Sequence, residues 1–278
     1  MAFPVPGLKS LLAACALIAA AGAANAEDAS PWAPDSRSAF RLLAGANGAG
    51  SNLLRAGIEI KLQPGWKTYW RYPGDSGVPP RFDFAGSDNL GRVKVLYPAP
   101  HLYTDDNVNT LGYKDTVILP LQVTPRQPGK PVRLRLKLDY AVCEKLCIPA
   151  IGQSELTLGA GASAFDAALA ASEAKVPTPA AAADIGLTAK RVTGGIKPLV
   201  YVDLKAPTGK AVELFVEGPT PEWALPIPKP AQGAPEGHHH FGFELDGFPP
   251  GVDPKAAFEL TFTVVEDGRA VEVTTHLD

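Results

Sequence analysis

The chain has 278 residues, with 26 Lys and Arg against 29 Asp and Glu, a formal net charge of −3 at pH 7. That balance leaves no basic footprint for nucleic acid and no polybasic membrane patch. The length suits two β domains better than one, and no apolar run is long enough to span a bilayer.

Residues 1–26 read as an export signal. Lys9 precedes the apolar, small-residue run Leu11 to Ala24, and Ala24-Asn25-Ala26 is a small-x-small cleavage site before Glu27. Leu12-Ala13-Ala14-Cys15 has the form of a lipoprotein cleavage box. Only Ser10 to Ala14 separate Lys9 from Cys15, too short an apolar region, so lipid anchoring is not expected. Removal of the signal takes Cys15 with it and leaves Cys143 and Cys147 in an exported chain, where an oxidising compartment permits a disulfide.

Strand signals then follow one another. Leu54 to Leu62 alternates, with Ala56, Ile58 and Ile60 on one face and Arg55, Glu59 and Lys61 on the other. Val93 to Tyr97 and Thr116 to Val123 are further strands, and Pro120 predicts an edge or bulged position for the second. The most regular run is Val132 to Tyr140, where apolar residues alternate with Arg133, Arg135, Lys137 and Asp139. Pro64-Gly65, Pro73-Gly74-Asp75, Pro79-Pro80 and Pro128-Gly129 supply turns. Ser163 to Lys175 predicts one short helix with Ser163 as its cap, and Val176 to Ala183 predicts a Pro/Ala linker. Strands resume at Leu199 to Leu204, Ala211 to Glu217, Phe241 to Leu245 and Phe258 to Val265. Asp267-Gly268 predicts a tight hairpin joining the last two strands. Short strands with Gly/Pro punctuation predict β-sandwiches and exclude a βαβ fold.

Cys143 and Cys147 sit at the end of the Val132 strand. If Cys147 begins the return strand, Glu144-Lys145-Leu146 is a three-residue loop and the two cysteines oppose each other within disulfide range. A bond closing so short a loop contributes roughly 2 kcal/mol in the chain-entropy model, against roughly 4.7 for a hundred-residue loop. Its loss need not unfold the domain. Spacing alone leaves a structural disulfide and a redox pair both open. Two thiolates could also bind a soft ion such as Cu(I), whereas zinc wants four ligands. The run His238-His239-His240 follows Pro235-Glu236-Gly237 and predicts a solvated loop rather than a metal site. Trp66, Tyr69, Trp70 and Tyr72 are expected to be core and edge aromatics.

Four stretches occur in order: Gly65-Trp-Lys-Thr-Tyr-Trp-Arg71, Pro98-Ala-Pro-His-Leu-Tyr103, Gly112-Tyr-Lys-Asp-Thr-Val-Ile-Leu-Pro120 and Tyr140-Ala-Val-Cys-Glu-Lys-Leu-Cys-Ile-Pro149. Together they resemble the N-terminal periplasmic domain of the thiol:disulfide interchange protein DsbD, and more closely that of the related ScsB proteins, linked to copper-stress tolerance. The likeness covers roughly residues 35 to 160.

The resemblance implies an all-β protein of two immunoglobulin-like β-sandwich domains, 27–162 and 184–278, joined by a short helix and linker at 163–183. It implies a periplasmic thiol-disulfide exchange protein with Cys143 and Cys147 as the redox pair, Cys147 attacking and Cys143 resolving, and no bound cofactor. The implied partners are thioredoxin-fold proteins and a membrane electron-transfer protein. Because the chain ends at Asp278, that electron source is expected to be separate. The family also shields its cysteines with a cap loop, which by position falls between His101 and Gly112, with Leu102 and Tyr103 as its expected tips. Lys145 would favour a thiolate and Glu144 oppose it. Two alternatives stand beside this reading: a Cu(I)-binding protein using the same cysteines, and a non-catalytic binding module with a structural disulfide.

Overall fold

The computed structural model describes residues 27–46, 52–159, 161–193, 197–205 and 211–278. The export signal expected at 1–26, with Cys15, lies outside the described residues.

Period-two patterning builds two sandwiches. The first uses β1 (Ala33–Pro34), β2 (Ser38–Ala44), β3 (Leu54–Leu62), β4 (Lys67–Gly74), β5 (Arg81–Asp83), β6 (Leu90–Val95), β7 (His101–Asp105), β8 (Val108–Lys114), β9 (Thr116–Pro125), β10 (Val132–Cys143) and β11 (Cys147–Leu158). One sheet runs β1-β2-β3-β9-β6. The other runs β11-β10-β4-β8-β7, with β5 also paired to β10. Their inner faces meet in a core that includes Phe40, Ile58, Trp70, Leu119 and Leu134. The alternation of β3 and β10 places Ile58 and Leu134 there, since successive residues of a strand face opposite ways.

The helix α1 (Asp166–Glu173) follows, then β12 (Thr178–Pro179) and a 3-10 turn at Ala182–Ile185. The second sandwich adds β13 (Thr188–Val192), β14 (Leu199–Lys205), β15 (Val212–Glu217), β16 (Lys229–Pro230), β17 (His238–Glu244), β18 (Phe258–Glu266) and β19 (Arg269–Leu277). Its sheets run β12-β19-β18-β15 and β13-β14-β17-β16 around Val202, Leu260 and Phe262.

Four local expectations change. β9 lies between β3 and β6 rather than at an edge. Pro120 is tolerated there because its carbonyl accepts from Leu96, just past the last residue of β6. The nitrogen of a strand residue points to the same side as its carbonyl, so the missing donor faces a ladder that has already ended. The helix begins at Asp166 and Ser163 stands outside it, its hydroxyl accepting from the Phe165 N–H. The connecting segment is structured: Thr178 and Pro179 pair in parallel with Val271 and Glu272. The histidine run is not a loop either, because His238, His239 and His240 open β17, half-buried and paired with Lys205, Leu204 and Asp203.

The two sandwiches meet along β4. Phe215 alternates with Leu214 and Val216, which face the second core, and instead enters the first core 6.1 Å from Trp70. Arg71 bridges Glu217 and Glu272 of the second sandwich, and the Tyr72 hydroxyl donates to the Leu225 carbonyl. Burial opposes the charge on Arg71, but the hydrogen bonds and charges of the two carboxylates outweigh it and raise its pKa.

Candidate redox site

β10 and β11 form a hairpin in continuous register from Val132↔Leu158 to Cys143↔Cys147. The last pair is joined by a disulfide, with Cα atoms 4.2 Å apart. Glu144, Lys145 and Leu146 form the loop and all three are exposed, Leu146 to 77%. Neither charged loop residue is drawn under the surface.

The two sulfurs differ in access. Cys143 is only 7% exposed, packed with Tyr69 and Ala141 on the outer face of its sheet, whereas Cys147 is exposed. A thiol-disulfide exchange needs one sulfur that an incoming thiolate can approach in line, and a second that stays close to complete the cycle. Here the exposed sulfur is that of Cys147 and the buried one that of Cys143.

β4 supplies the neighbours. Trp66, Thr68, Trp70 and Tyr72 are buried inward, while Lys67 and Tyr69 alternate onto the outer face beside Cys143, whose register partner is Lys67. The Tyr69 hydroxyl lies 3.0 Å from Cys147 Sγ. Burial raises the Tyr69 pKa and the Asp105 carboxylate adds to it, so the phenol stays protonated and can donate to sulfur. Its ring is fixed by Gly77, which has φ +135°. A Cβ there would sit 2.4 Å from Tyr69 Cε1, so glycine is what allows this approach.

The segment from His101 to Gly112 is a hairpin. Its turn is Asp106–Asn107, both with positive φ, between Asp105 and Val108. Leu102 and Tyr103 are therefore strand residues of β7, not its tip, and they face opposite ways. Leu102 pairs with Leu111, a core residue. Tyr103 carries the Lys114 ammonium 4.3 Å above its ring on the outer face. Leu102 and Val108, the latter next to the turn, are both exposed apolar residues, at 37% and 40%.

All four aromatics are buried as expected, Trp66, Trp70 and Tyr72 in the main core and Tyr69 in a small cluster with Ala141 and Cys143. Tyr69 shares the face of Cys143 because it stands two residues from Lys67, the register partner of Cys143, and the burial of β4 on both sides gives no apolar alternation that separates it from the other three. Lys67 and Asp105 also escape a sequence reading, because their side chains meet only through the fold. Among the described residues no group of three or more His, Cys, Asp or Glu is placed to hold a metal. His240 Nδ1 lies 2.6 Å from Asp203 Oδ1 and its ring stacks on Tyr201, in the second sandwich.

Comparison with known proteins agrees with this geometry. No curated protein sequence matches the chain. The crystal structure of the N-terminal periplasmic domain of ScsB from Proteus mirabilis superposes with a TM-score of 0.71 at 20% identity, covering 90% of this chain and 98% of that one. The shared fold therefore extends over both sandwiches. Residues 35–159 match the family described as thiol:disulfide interchange protein DsbD, N-terminal. That span contains both cysteines, Tyr69, Lys67 and the hairpin at His101–Lys114, and the first sandwich of this chain is a DsbD N-terminal domain.

Proposed function

We propose that this chain is a periplasmic thiol-disulfide exchange protein that relays electrons from a membrane reductase to thioredoxin-fold partners through Cys143 and Cys147. The observation that carries this is the unequal exposure of the two bonded sulfurs, in a domain of a thiol-disulfide exchange family. In the reduced protein the Cys147 thiolate attacks a partner disulfide. One partner sulfur leaves as a thiolate, which takes a proton from solvent, and a mixed disulfide forms. The Cys143 thiolate then attacks Cys147 Sγ, the second partner sulfur leaves, and the Cys143–Cys147 bond closes. Two electrons have passed to the partner. The membrane reductase restores the dithiol by the same steps in reverse. Tyr69 donates to the Cys147 sulfur while it carries negative charge, the state in which a hydrogen bond contributes most. The unit that exchanges is the sandwich of residues 27–162, with 184–278 as a second domain held to it by the Phe215 and Arg71 contacts.

The test is a Cys143→Ser variant of the exported chain exposed to periplasmic extract. It should accumulate covalent adducts through Cys147 that a thiol reductant releases and that contain thioredoxin-fold proteins. Recovery of no adduct under reducing and oxidising conditions alike would overturn the relay. Stoichiometric Cu(I) binding by the reduced protein, without such adducts, would favour the copper reading.

A further inference from the structure

We propose that the second sandwich carries a ligand site of its own: a hollow on the outer face of the sheet β13-β14-β17-β16 that takes a flat ring bearing a carboxylate. The site stands apart from the cysteine pair and does not depend on the exchange reading.

Register builds it. Val200, Val202 and Leu204 of β14 are buried in the second core, so Leu199, Tyr201 and Asp203 face outward. Their partners on β17 make three successive rows, Asp203↔His240, Tyr201↔Gly242 and Leu199↔Glu244. The His240 ring stacks on Tyr201 with centroids 5.1 Å apart, and its Nδ1 is held 2.6 Å from Asp203 Oδ1. His240 stands in the row on one side of Tyr201, so the other face of the tyrosine turns toward the row of Leu199 and Glu244. There Leu199, Tyr201, Ile227, Lys229, Gly242 and Glu244 line a hollow of about 470 Å3. That volume suits a small ligand.

Two features keep the hollow open and firm. Gly242 lies inside β17 without a positive φ, so the backbone does not require glycine there. A glycine inside a strand weakens it and often marks a place where something approaches closely. A Cβ on Gly242 would sit 3.1 Å from Tyr201 Cε1, so a side chain would displace the ring or fill the space. Another wall comes from the run Leu225-Pro-Ile-Pro-Lys-Pro230, in which each proline fixes its own φ. Leu225 is buried in the second core and Ile227 in the first, which pins the run to both sandwiches. A wall held in this way has little freedom left to lose when a ligand arrives.

The charges select the ligand. Glu244 is engaged by the Lys197 ammonium, 3.5 Å away, which also pairs with Asp246. Lys229 makes no ion pair among the described residues. An unpaired ammonium beside a buttressed tyrosine fits a ring that stacks on Tyr201 and an anion that meets Lys229. With a single such lysine, and Glu244 nearby, a singly charged carboxylate fits better than a doubly charged phosphate.

The experiment uses the full exported chain, oxidised. The probe is N-acetyl-L-tryptophan, and its C-terminal amide, which keeps the ring and lacks the charge, is the control. Amide NMR shifts are followed on titration into wild type, Lys229→Met and Tyr201→Leu. The acid should give saturable shifts confined to residues 199–203, 226–231 and 240–244, with a Kd of roughly 1 mM or below. Loss of the charge-assisted bond should weaken the acid about tenfold in Lys229→Met, and the amide should bind wild type about as weakly. Tyr201→Leu should weaken both probes. Lys229 is exposed, so its substitution leaves the fold intact and decides the matter even if Tyr201→Leu does not fold. A short peptide ending in tryptophan with a free carboxylate separates two sources of the same chemistry. If it binds as tightly as the acid, the site takes chain ends; if only the acid binds, the site takes small free acids. No saturable shift, shifts centred outside those residues, equal affinity for acid and amide, or an acid affinity untouched by Lys229→Met would each overturn the site.

Discussion

Two long antiparallel hairpins of this molecule end in different ways. β18 and β19 stay in register from Phe258↔Leu277 to Glu266↔Arg269 and close on Asp267 and Gly268, whose φ values of 48° and 75° are those of a two-residue hairpin turn. β10 and β11 are longer, stay in register over their whole length, and close on three exposed residues plus a disulfide. The first hairpin shows that a ladder with a suitable turn holds its own end. The second has the longer ladder and carries the covalent bond all the same. A bond so placed is expendable for the fold, and that is the condition for opening and closing it during a reaction cycle.

The comparison breaks most visibly in exchange. Cys147→Ser should reduce disulfide exchange with thioredoxin to the uncatalysed background, and Cys143→Ser should stop it at the mixed disulfide, while Gly268→Val leaves the rate alone. Gel analysis of trapped adducts with a quenched time course checks all three. Stability should look quite different. Replacing both cysteines by Ala should cost about 2 kcal/mol, the contribution expected for a five-residue loop. Gly268→Val, which forces a β-branched residue into the left-handed region, should cost a similar amount of about 1–2 kcal/mol. Denaturant melts should show both variants folded and cooperative. A much larger loss from the cysteine pair, or loss of cooperativity, would mark the bond as a staple.

Much of this fold was legible in the sequence because one side of each sheet is wet. Val132 to Tyr140 and Leu54 to Leu62 alternate cleanly, and Asp267-Gly268 has the residues that its turn needs. The opposition of Cys143 and Cys147 followed from the same register argument. What stayed hidden was buried on both faces or made by the tertiary fold. β4 reads Lys-Thr-Tyr-Trp-Arg-Tyr without apolar alternation because the second sandwich and the β7–β8 hairpin cover its outer side. Tyr69 therefore looked like one more core aromatic. The His238–His240 stretch looked like a loop because its polarity concealed a strand paired with β14.

Tyr69 is the next distinction between the hairpins, since nothing at Asp267-Gly268 corresponds to it. A hydrogen bond to a charged group contributes about 1.5 kcal/mol, close to one pKa unit. Tyr69→Phe should therefore raise the pKa of the reduced Cys147 thiol by about one unit and slow its alkylation at neutral pH by about tenfold, read by iodoacetamide labelling across pH. Gly77→Ala should move the ring and give part of the same effect without removing the hydroxyl. Equal thiol titrations in all three proteins would remove Tyr69 from the mechanism.

The smallest effect is expected from acid. The hydrogen bond from Lys67, aided by its charge, holds the Asp105 carboxyl below its ordinary value. A group whose folded pKa is depressed stabilises the fold above its unfolded pKa, and loses that contribution as pH falls through the folded one. The window for Asp105 thus lies below the usual carboxylate range, and at neutral pH the Lys67–Asp105 ion pair is fully formed. Because Asp105 is mostly exposed, solvent screens the pair and global stability should hardly register the change. Protection of amides 101–114 should register it, falling in acid while the amides of β18 and β19 stay protected. Raising the salt concentration at neutral pH should leave most of that protection in place. The Lys67 end of the pair is buried, and screening by mobile ions acts mainly on exposed charges.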